Sequence, residues 1–555
     1  MAKQLLCQKY ILKLNSSRLR KARWKLSLPL EEAMKNKNDL VALGSSQVLR
    51  FLDELHGRNT EEEAQRLKKK ISLLHKATPT AKTKKILKGL YQQLYELQYQ
   101  PDYVAIIMDK LSDYDRLNKG FSINGIEYKR FLGTNGGVKN STILYLNKDL
   151  YPLIKERLDC GRDKSMPIVP NKLEAYQALI CSASTPVSMP NGIIVVPDCV
   201  TQFTEDVISI DDSETDEPVV SYIKDKLIEL TESDGYGLML PSLARRWNAE
   251  LGGDPDEALS GVNLRGLPWT KGMVFPFDFI DFGTKIANEN YMIKDAWGDW
   301  RDVREAELIL TTSMLKLWDS YTCWEHYWDN VQKYHYQISI AKTAPHQLEN
   351  ERCTNYQFLQ NYEFTDEEIQ ELVQPTIQEI KDAMGLDWRK SILFLRGKEM
   401  TADKIRHDDT ADFAKALMIE PTLINDPFVR GKIYSMIKKK IRQAKIGVLN
   451  LKGNFAIIGG DPYSLCQSIF GLPITGLLKA GETYHHYWSE QGVNEIVCFR
   501  APMTSKYNIR KLKVVATTEM EYWYRDIRTC MLLNSWDSTA EAANGADKDR
   551  KTPSL

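Results

Sequence analysis

The alternation between helical stretches and stretches of short β-like runs constrains the fold of this chain more than any other feature. Short apolar runs separated by Gly, Pro and Asn begin at about Gly125 and return after Ile446. Examples are Thr142–Leu146, Gly192–Val196, Phe455–Ile458 and Ile496–Phe499. Before and between these stretches, apolar residues recur at helical spacing. The pattern predicts an α+β chain with two β-rich lobes that are joined and flanked by helices.

The same pattern divides the chain of 555 residues into four regions. We expect a mainly helical region over 1–120, a β-rich lobe over 121–330, a helical connector over 331–445 and a second β-rich lobe over 446–555. The acidic segment Glu205–Glu217 contains no aromatic residue and is expected to form an exposed loop.

Charge does not by itself indicate a nucleic-acid partner, because 74 basic residues are balanced by 74 acidic residues. A local basic channel can still exist on a neutral protein. The basic run that includes Arg18, Arg20, Lys21, Arg23 and Lys25 could contact nucleic acid. An exposed face of a helix or strand is the more common outcome for such a run.

The sequence contains no apolar run long enough to span a bilayer and no signal-peptide pattern, so we expect no membrane partner. The nine cysteines include no CxxC pair. This usage is typical of reduced thiols in a cytoplasmic protein.

The sharpest local motif is Asn544-Gly545-Ala546-Asp547-Lys548-Asp549. On a loop, two aspartates separated by one residue can turn their carboxylates toward one hard cation such as Mg²⁺. Such a cation can activate a hydroxyl and stabilise a leaving pyrophosphate. Considered alone, an acidic pair in a loop rich in Gly and Asn is more often a solvated turn.

The order of motifs around this loop adds specificity. Arg500-Ala501-Pro502 lies upstream, and the β-like run Leu512–Ala516 follows it. This order resembles the catalytic barrel of the largest subunit of cellular RNA polymerases and the Asp-x-Asp-Gly-Asp loop of silencing-type RNA-dependent RNA polymerases. The resemblance implies two double-psi β-barrels. It also implies that Asp547 and Asp549 bind catalytic Mg²⁺ and that Arg500 contacts the incoming nucleotide.

Further segments resemble the phage relatives of these polymerases, in the same order along the chain. They are Arg130–Ser141, Gly161–Asp163, Asn171–Leu173, Asp234–Gly237, Trp269–Met273, Ser313–Leu317, Gly460–Tyr463 and Tyr484–Trp488. By this resemblance, Lys271 and Lys316 are the two lysines that the first barrel presents to the active centre. Ammonium groups there neutralise phosphate charge, which is the main need of phosphoryl transfer.

The segment Gly133–Ser141 also invites comparison with a P-loop. It lacks the Gly-Lys-Ser/Thr sequence that a P-loop requires, because Val138 precedes Lys139 and Asn140 follows it. A Gly-rich turn beside a strand is the better interpretation, and a template or phosphate contact by Lys139 remains open.

The chain departs from the polymerase motif after Asp549. Arg550 stands where the family has Gly, and Lys551 stands where it has the third Asp. Two cations in these positions should weaken Mg²⁺ binding. We therefore expect a truncated metal loop, a second barrel that lacks closing strands, and an inactive chain.

The resemblance implies an RNA polymerase that uses nucleoside triphosphates, Mg²⁺ and an RNA or DNA template. It also implies a phage or mobile-element protein in the cytoplasm of a bacterial host. The alternatives are a non-catalytic nucleic-acid-binding remnant and an unrelated protein whose motif matches are accidental. The sequence leaves the choice of template open.

Overall fold

The computed structural model describes residues 9–36, 38–57, 60–75, 80–211, 219–396, 411–543, 545 and 551–554. The strands are β1 (Lys9–Asn15), β2 (Lys25–Leu26), β3 (Leu40–Leu43), β4 (Tyr103–Ile107), β5 (Phe121–Ile123), β6 (Ile126–Arg130), β7 (Thr142–Asn147), β8 (Thr185–Pro186), β9 (Ile193–Val196), β10 (Val200–Asp211), β11 (Val219–Thr231), β12 (Tyr236–Met239), β13 (Val262–Arg265), β14 (Gly272–Pro276), β15 (Met292–Lys294), β16 (Trp300–Asp302), β17 (Leu308–Thr311), β18 (Ser339–Thr343), β19 (Glu351–Cys353), β20 (Asn450–Lys452), β21 (Asn454–Gly459), β22 (Glu482–Tyr484), β23 (Glu495–Phe499), β24 (Ile509–Val514), β25 (Cys530–Leu533) and β26 (Lys551–Ser554).

The helices are α1 (Ser16–Lys21), α2 (Leu30–Lys35), α3 (Gln47–Leu55), α4 (Thr60–His75), α5 (Ala81–Gln98), α6 (Ser112–Asn118), α7 (Asn135–Lys139), α8 (Tyr151–Asp159), α9 (Pro170–Gln177), α10 (Pro241–Glu250), α11 (Phe279–Lys285), α12 (Trp324–Lys333), α13 (Tyr356–Gln360), α14 (Asp366–Met384), α15 (Trp388–Arg396), α16 (Asp412–Ile419), α17 (Pro427–Ala444), α18 (Pro462–Ile469), α19 (His486–Glu490), α20 (Thr518–Trp523) and α21 (Thr539–Ala542). Among the described residues, none of the helices is long and apolar enough to cross a membrane.

The N-terminal region is built on a sheet rather than on helices alone. Its strand order is β2-β5-β6-β7-β4-β1-β3. Helices make up most of the regular structure over 1–120, but β1 to β4 pair into one sheet with β5, β6 and β7, which lie beyond the predicted boundary at residue 120. The strand β4 was missed because it is apolar and buried on both faces: Tyr103 packs in one core, and Val104 packs in another. Such strands lack the polar and apolar alternation that reveals a strand in the sequence.

Two further sheets share one topology. The first has the order β8-β18-β13-β14-β12-β17-β9, and the second is a closed barrel with the order β21-β25-β22-β24-β23-β26. When β8 is set aside, each sheet contains six strands that pair in the order 1-5-2-4-3-6, and the five successive pairs have the same parallel and antiparallel orientations in both. Two curled sheets in an α+β chain fit the two-barrel expectation. Their double-psi character stays a prediction.

The expectation that the second barrel is incomplete is wrong, because β26 closes it. Phe455 pairs with Pro553, and Cys498 pairs with Ser554, so β26 lies between β21 and β23. A short polar strand that contains Pro gives no strand signal in the sequence. Among the described residues the first sheet stays open, because its sixth strand, β18, pairs with β8 and β13 and not with its first strand, β9.

Residues 356–444 carry the helices α13–α17, between the two sheets in sequence. Thr365 and Glu368 form a capping box at the start of α14. Pro375 lies inside α14, which is not divided there. The predicted acidic loop is wrong for Glu205–Asp211, which form the end of β10 and pair with β11. The rest of that predicted loop, 212–217, lies outside the described residues.

The two sheets are packed on one apolar core. It joins residues of β9, β12, β14 and β17 to residues of β21, α18, α20 and β25. Phe275 of β14 is fully buried, and its ring lies beside Gly459 of β21 and Gly261. A Cβ atom at Gly459 would lie 2.8 Å from two carbons of that ring. This tight contact between the two lobes is therefore possible only because Gly459 has no side chain.

The substitution Gly459→Ala should destabilise the protein by about 1–3 kcal/mol, because the ring of Phe275 cannot move in a packed core. Gly431→Ala in α17 is the matched control, since a Cβ atom there meets nothing within 4 Å. It should stabilise the protein by about 0.5–1 kcal/mol through helix propensity. Urea unfolding measures both changes, and equal effects of the two substitutions would contradict the packing argument.

His485 should make stability depend on pH. Burial lowers the pKa of His485 from 6.5 to about 3, because desolvation penalises the imidazolium ion. Above about pH 6.5 the side chain is neutral in both the folded and the unfolded chain, so it does not reduce the free energy of unfolding. As the pH falls from 6.5 toward 3, the free energy of unfolding decreases, because the unfolded chain takes up a proton that the folded chain does not. The loss approaches about 1.4 kcal/mol per pH unit. In urea titrations, His485→Leu should flatten this dependence; an unchanged slope would contradict it.

Candidate active site

Lys271 and Lys316 come from distant parts of the chain and lie across one β-bridge. The bridge pairs Thr270 with Leu315 in antiparallel orientation. The backbone N–H of Lys271 donates to Met314 O at 3.0 Å, and that of Lys316 donates to Trp269 O at 3.0 Å. Both lysine residues are half-buried, whereas Thr270 and Leu315 are fully buried. The pairing brings two cationic side chains onto neighbouring segments.

Three of the sequence motifs meet at this bridge. Gly235, in the motif Asp234–Gly237, donates its N–H to Ser313 Oγ at 2.8 Å. The N–H of Met273 donates to Gly235 O at 2.9 Å. A Cβ atom at Gly272 would lie 2.6 Å from Gly235 O, so only glycine permits this approach. Motifs recognised by their order in the sequence are therefore in direct contact.

The carboxylate of Asp198 holds the segment that leads to Lys316. Its Oδ2 accepts hydrogen bonds from Thr312 Oγ1 at 2.6 Å and from the N–H of Ser313 at 2.8 Å. Its Oδ1 accepts from Ser233 Oγ and Ser313 Oγ, each at 2.7 Å. Four donors around one half-buried carboxylate fix the two loops that flank the bridge. Sequence analysis missed Asp198, which stands in no recognised motif.

Arg500 contacts the segment that precedes Asp547 and Asp549 in the sequence. Its side chain is buried, and Nη1 donates to Ala543 O at 3.2 Å and to Gly545 O at 3.3 Å. Asn508 supports the same segment by donating from Nδ2 to Ala542 O at 2.7 Å. The guanidinium therefore orients the backbone immediately before the predicted metal ligands. Its predicted contact with a nucleotide stays a prediction.

The candidate residues occupy equivalent connections in the two sheets. Lys271 and Arg500 lie between the third and fourth strands of their sheets, and Lys316 lies between the fifth and sixth. Asp547 and Asp549 follow the fifth strand of the second sheet in sequence. In each sheet the two connections touch, through Lys271 and Met314 in the first and through Arg500 and Ala543 in the second.

The two sets of connections belong to elements that touch each other. Thr201, at the start of β10, donates from Oγ1 to Ser535 O at 2.7 Å. Glu205 accepts from the N–H of Ser538 at 3.1 Å. Ser535 and Ser538 precede α21 and the acidic loop, and β10 follows Asp198 directly. Hydrogen bonds thus connect the lysine side of the site to the loop side.

A buried polar cluster fixes the interface beneath the site. Glu232 Oε1 accepts from the N–H of Asp461 at 2.7 Å, and Oε2 accepts from Tyr236 OH at 2.7 Å. Asp461 caps α18 and accepts from Tyr524 OH. Burial, followed by the charge of Glu232, raises the pKa of Tyr236 well above its ordinary value. Tyr236 therefore stays protonated and keeps donating to Glu232, which accepts from the N–H of Asp461 across the interface.

The other predicted residues fall outside this arrangement or outside the described chain. Lys139 is exposed at the end of α7, in the N-terminal sheet region and in neither curled sheet. Asp547 and Asp549, the predicted Mg²⁺ ligands, lie outside the described residues. Among the residues that are described, no group of three or more His, Cys, Asp and Glu could hold a metal ion. The Mg²⁺ prediction therefore depends on the two aspartates, whose hard oxygen atoms suit that ion.

Comparison with known proteins supports a polymerase relationship. No protein-family model matches the chain. It is 28% identical over 422 residues to a protein of Bacillus phage SPbeta named DNA-directed RNA polymerase YonO. The match covers 74% of this chain and 46% of that protein, so the chain spans about half the length of the relative. The expected similarity to RNA polymerases is confirmed at this level, while the silencing-type relationship stays a prediction.

Asp198→Ala should lower the free energy of unfolding by about 2 kcal/mol, because it removes an acceptor shared by four donors. Asp198→Asn should lower it by less. The amide keeps one oxygen acceptor, but its NH₂ group opposes the N–H of Ser313. Urea unfolding of the two variants tests this order. A larger loss in the Asn variant than in the Ala variant would contradict the assigned role.

Proposed function

We propose that this chain carries the nucleotidyl-transfer site of an RNA polymerase, which adds nucleoside triphosphates to an RNA 3′ end under direction of a template. In the proposed reaction the 3′-hydroxyl oxygen bonds to the α-phosphorus, the bond from that phosphorus to the bridging oxygen breaks, and pyrophosphate leaves. The hydroxyl proton passes to solvent. The observation that carries the proposal is the bridge between Thr270 and Leu315, which places the segments of Lys271 and Lys316 side by side.

The two lysines supply the charge that this reaction needs. Negative charge on the transferred phosphoryl group and on the leaving pyrophosphate is best stabilised by cations that are already in place. The Thr270–Leu315 bridge and the Asp198 carboxylate hold the backbone of the lysine segments before any substrate binds. Preorganisation of this kind spares the reaction the cost of ordering the cations.

In the connection that follows β25 in the sequence, Asp547 and Asp549 would hold Mg²⁺. When it is bound, this ion supplies Lewis-acid stabilisation of phosphate charge. Arg500 orients the loop backbone that precedes them. We infer that its role in the chemistry is to keep this loop against the barrel, in addition to the nucleotide contact that the family resemblance implies.

The name of the relative, a DNA-directed RNA polymerase, favours a DNA template for this chain. Its phage source agrees with the expected phage or mobile-element origin. An RNA template, as the silencing-type enzymes use, requires the same lysine and carboxylate chemistry. Both templates therefore belong in the experiment.

A second candidate function is a nucleic-acid-binding remnant that no longer catalyses transfer. Lys551 favours it, because this residue replaces the third aspartate of the family motif and lies in β26, paired with Ile457 in the barrel wall. A cation beside the metal loop opposes Mg²⁺ binding. The remnant would bind nucleic acid in a salt-dependent manner without incorporating nucleotides.

The test is incorporation of labelled nucleotides by the purified chain on single-stranded DNA and RNA templates, with Mg²⁺ or with a chelator. Lys271→Ala and Lys316→Ala should each reduce Mg²⁺-dependent incorporation by about 100-fold or more. Lys84→Ala removes an exposed lysine of α5 and is the matched control, with no expected effect.

The double variant Arg550→Gly with Lys551→Asp separates the two candidate functions. It restores the family motif, so it should raise incorporation if the loop is the metal site. Salt-sensitive binding without incorporation, before and after this restoration, would favour the remnant. Incorporation that is indifferent to both lysines would contradict the proposed site.

A further inference from the structure

A cleft on the N-terminal sheet region concentrates positive charge on a chain of zero net charge. It has a volume of about 370 Å³. Its lining includes the cations Arg23, Lys25, Arg116, Lys119, Lys129 and Lys148. The acidic residue in the lining is Glu127, which is paired with Lys148 at 2.9 Å. Six cations therefore face one carboxylate in a single concave surface.

The basic run near the N-terminus is divided by the fold. Arg18 pairs with Asp39, and Arg20 donates to both carboxylate oxygens of Asp113 at 2.7 Å. These two arginines are therefore held in ion pairs within the fold. Arg23 and Lys25 instead line the cleft. Among the described residues, neither has a carboxylate within ion-pair distance, and the same holds for Lys119.

An unusual turn places these side chains in the cleft. Arg23 and Trp24 are consecutive non-glycine residues with φ of 51° and 67°. The left-handed region costs about 1–2 kcal/mol for each such residue. The turn is held because the N–H of Trp24 donates to Leu19 O at 2.8 Å and the N–H of Ser122 donates to Trp24 O at 3.0 Å. Strain retained at a surface cleft is typical of a binding site.

The cleft also presents an aromatic ring among its cations. Trp24 is half-buried, and the guanidinium of Arg116 lies 5.3 Å from its ring centroid. That guanidinium is itself fixed, because Nη1 donates to Gly120 O at 2.8 Å. Phosphate groups suit the cations, and a base suits the indole ring. This combination is the one that proteins use for single-stranded nucleic acid.

We propose that this cleft binds a single strand of nucleic acid, with its phosphates on Lys25 and Lys119 and a base near Trp24. A volume of about 370 Å³ suits one nucleotide unit of a strand, and a duplex is too wide to enter it. The proposal goes beyond the proposed function: the cleft lies on the N-terminal sheet, apart from the paired lysines of the first curled sheet. Strand binding here does not require catalysis.

Binding of a fluorescent single-stranded RNA or DNA of about ten nucleotides, measured by anisotropy at several salt concentrations, tests the proposal. The double variant Lys25→Ala with Lys119→Ala should weaken binding. It should also reduce the slope of log K against log salt by about 0.7 for each phosphate group that the protein no longer neutralises. Lys84→Ala with Lys85→Ala removes the same charge from exposed positions of α5 and should change neither value.

The outcomes separate this site from its alternatives. Equal weakening by the two double variants, or duplex binding as tight as that of the single strand, would overturn the proposal. Displacement by inorganic phosphate as effective as displacement by unlabelled oligonucleotide would reduce the cleft to a simple anion site and also overturn it. The RNA and DNA arms show which strand is preferred.

Crosslinking keeps the proposal testable if the double variant does not fold. A strand carrying 4-thiouridine or 4-thiothymidine should crosslink to peptides that contain Trp24 or Lys119, and crosslinks confined to other peptides would overturn the assignment. Lys271→Ala with Lys316→Ala should keep these crosslinks while it loses nucleotide incorporation. Failure of the cleft and failure of the proposed polymerase function are therefore distinguishable.

Discussion

The packing of two curled sheets on one apolar core is the constraint on which the rest of the structure depends. Phe275 packs tightly in this core, where Gly261 and Gly459 leave room for its ring. Glu232 and Asp461 are fully buried at the same interface, and Glu232 accepts across it from the N–H of Asp461. A buried carboxylate without partners would be costly, so these contacts specify one arrangement of the two lobes.

That arrangement explains how candidate residues far apart in sequence are organised. The two sheets repeat the same order and orientation of six strands, and each contributes the same pair of connections to the site. The connections of the first sheet carry the two lysines, and those of the second sheet carry Arg500 and the acidic motif. Opposite charges in equivalent connections are a simple way to surround a triphosphate and its metal ion from two sides.

Several of the residues that organise the candidate site act by fixing the backbone around it. Asp198 fixes the segment before Lys316 through four hydrogen bonds. Arg500 donates to backbone carbonyls of the segment before Asp547. The N-terminal cleft is also ordered through the backbone, because hydrogen bonds hold the strained turn at Arg23 and Trp24. In each case the backbone is ordered first and the reactive or binding groups follow from it.

The sequence by itself determined the α+β class, the order of the polymerase-like motifs and the candidate residues Lys271, Lys316 and Arg500. The class followed from local periodicity, and the candidate residues followed from the resemblance of short motifs to those of RNA polymerases; periodicity and motifs are both properties of neighbouring residues. It could not reveal the strand β4, which is apolar on both faces, or β26, which is short and polar.

Only the tertiary structure decided that β26 closes the second barrel, that Asp198 supports Lys316, and that Arg18 is paired while Arg23 lines a cleft. Each of these depends on contacts between residues distant in sequence. Such contacts are set by packing across the whole molecule and leave no local pattern in the chain.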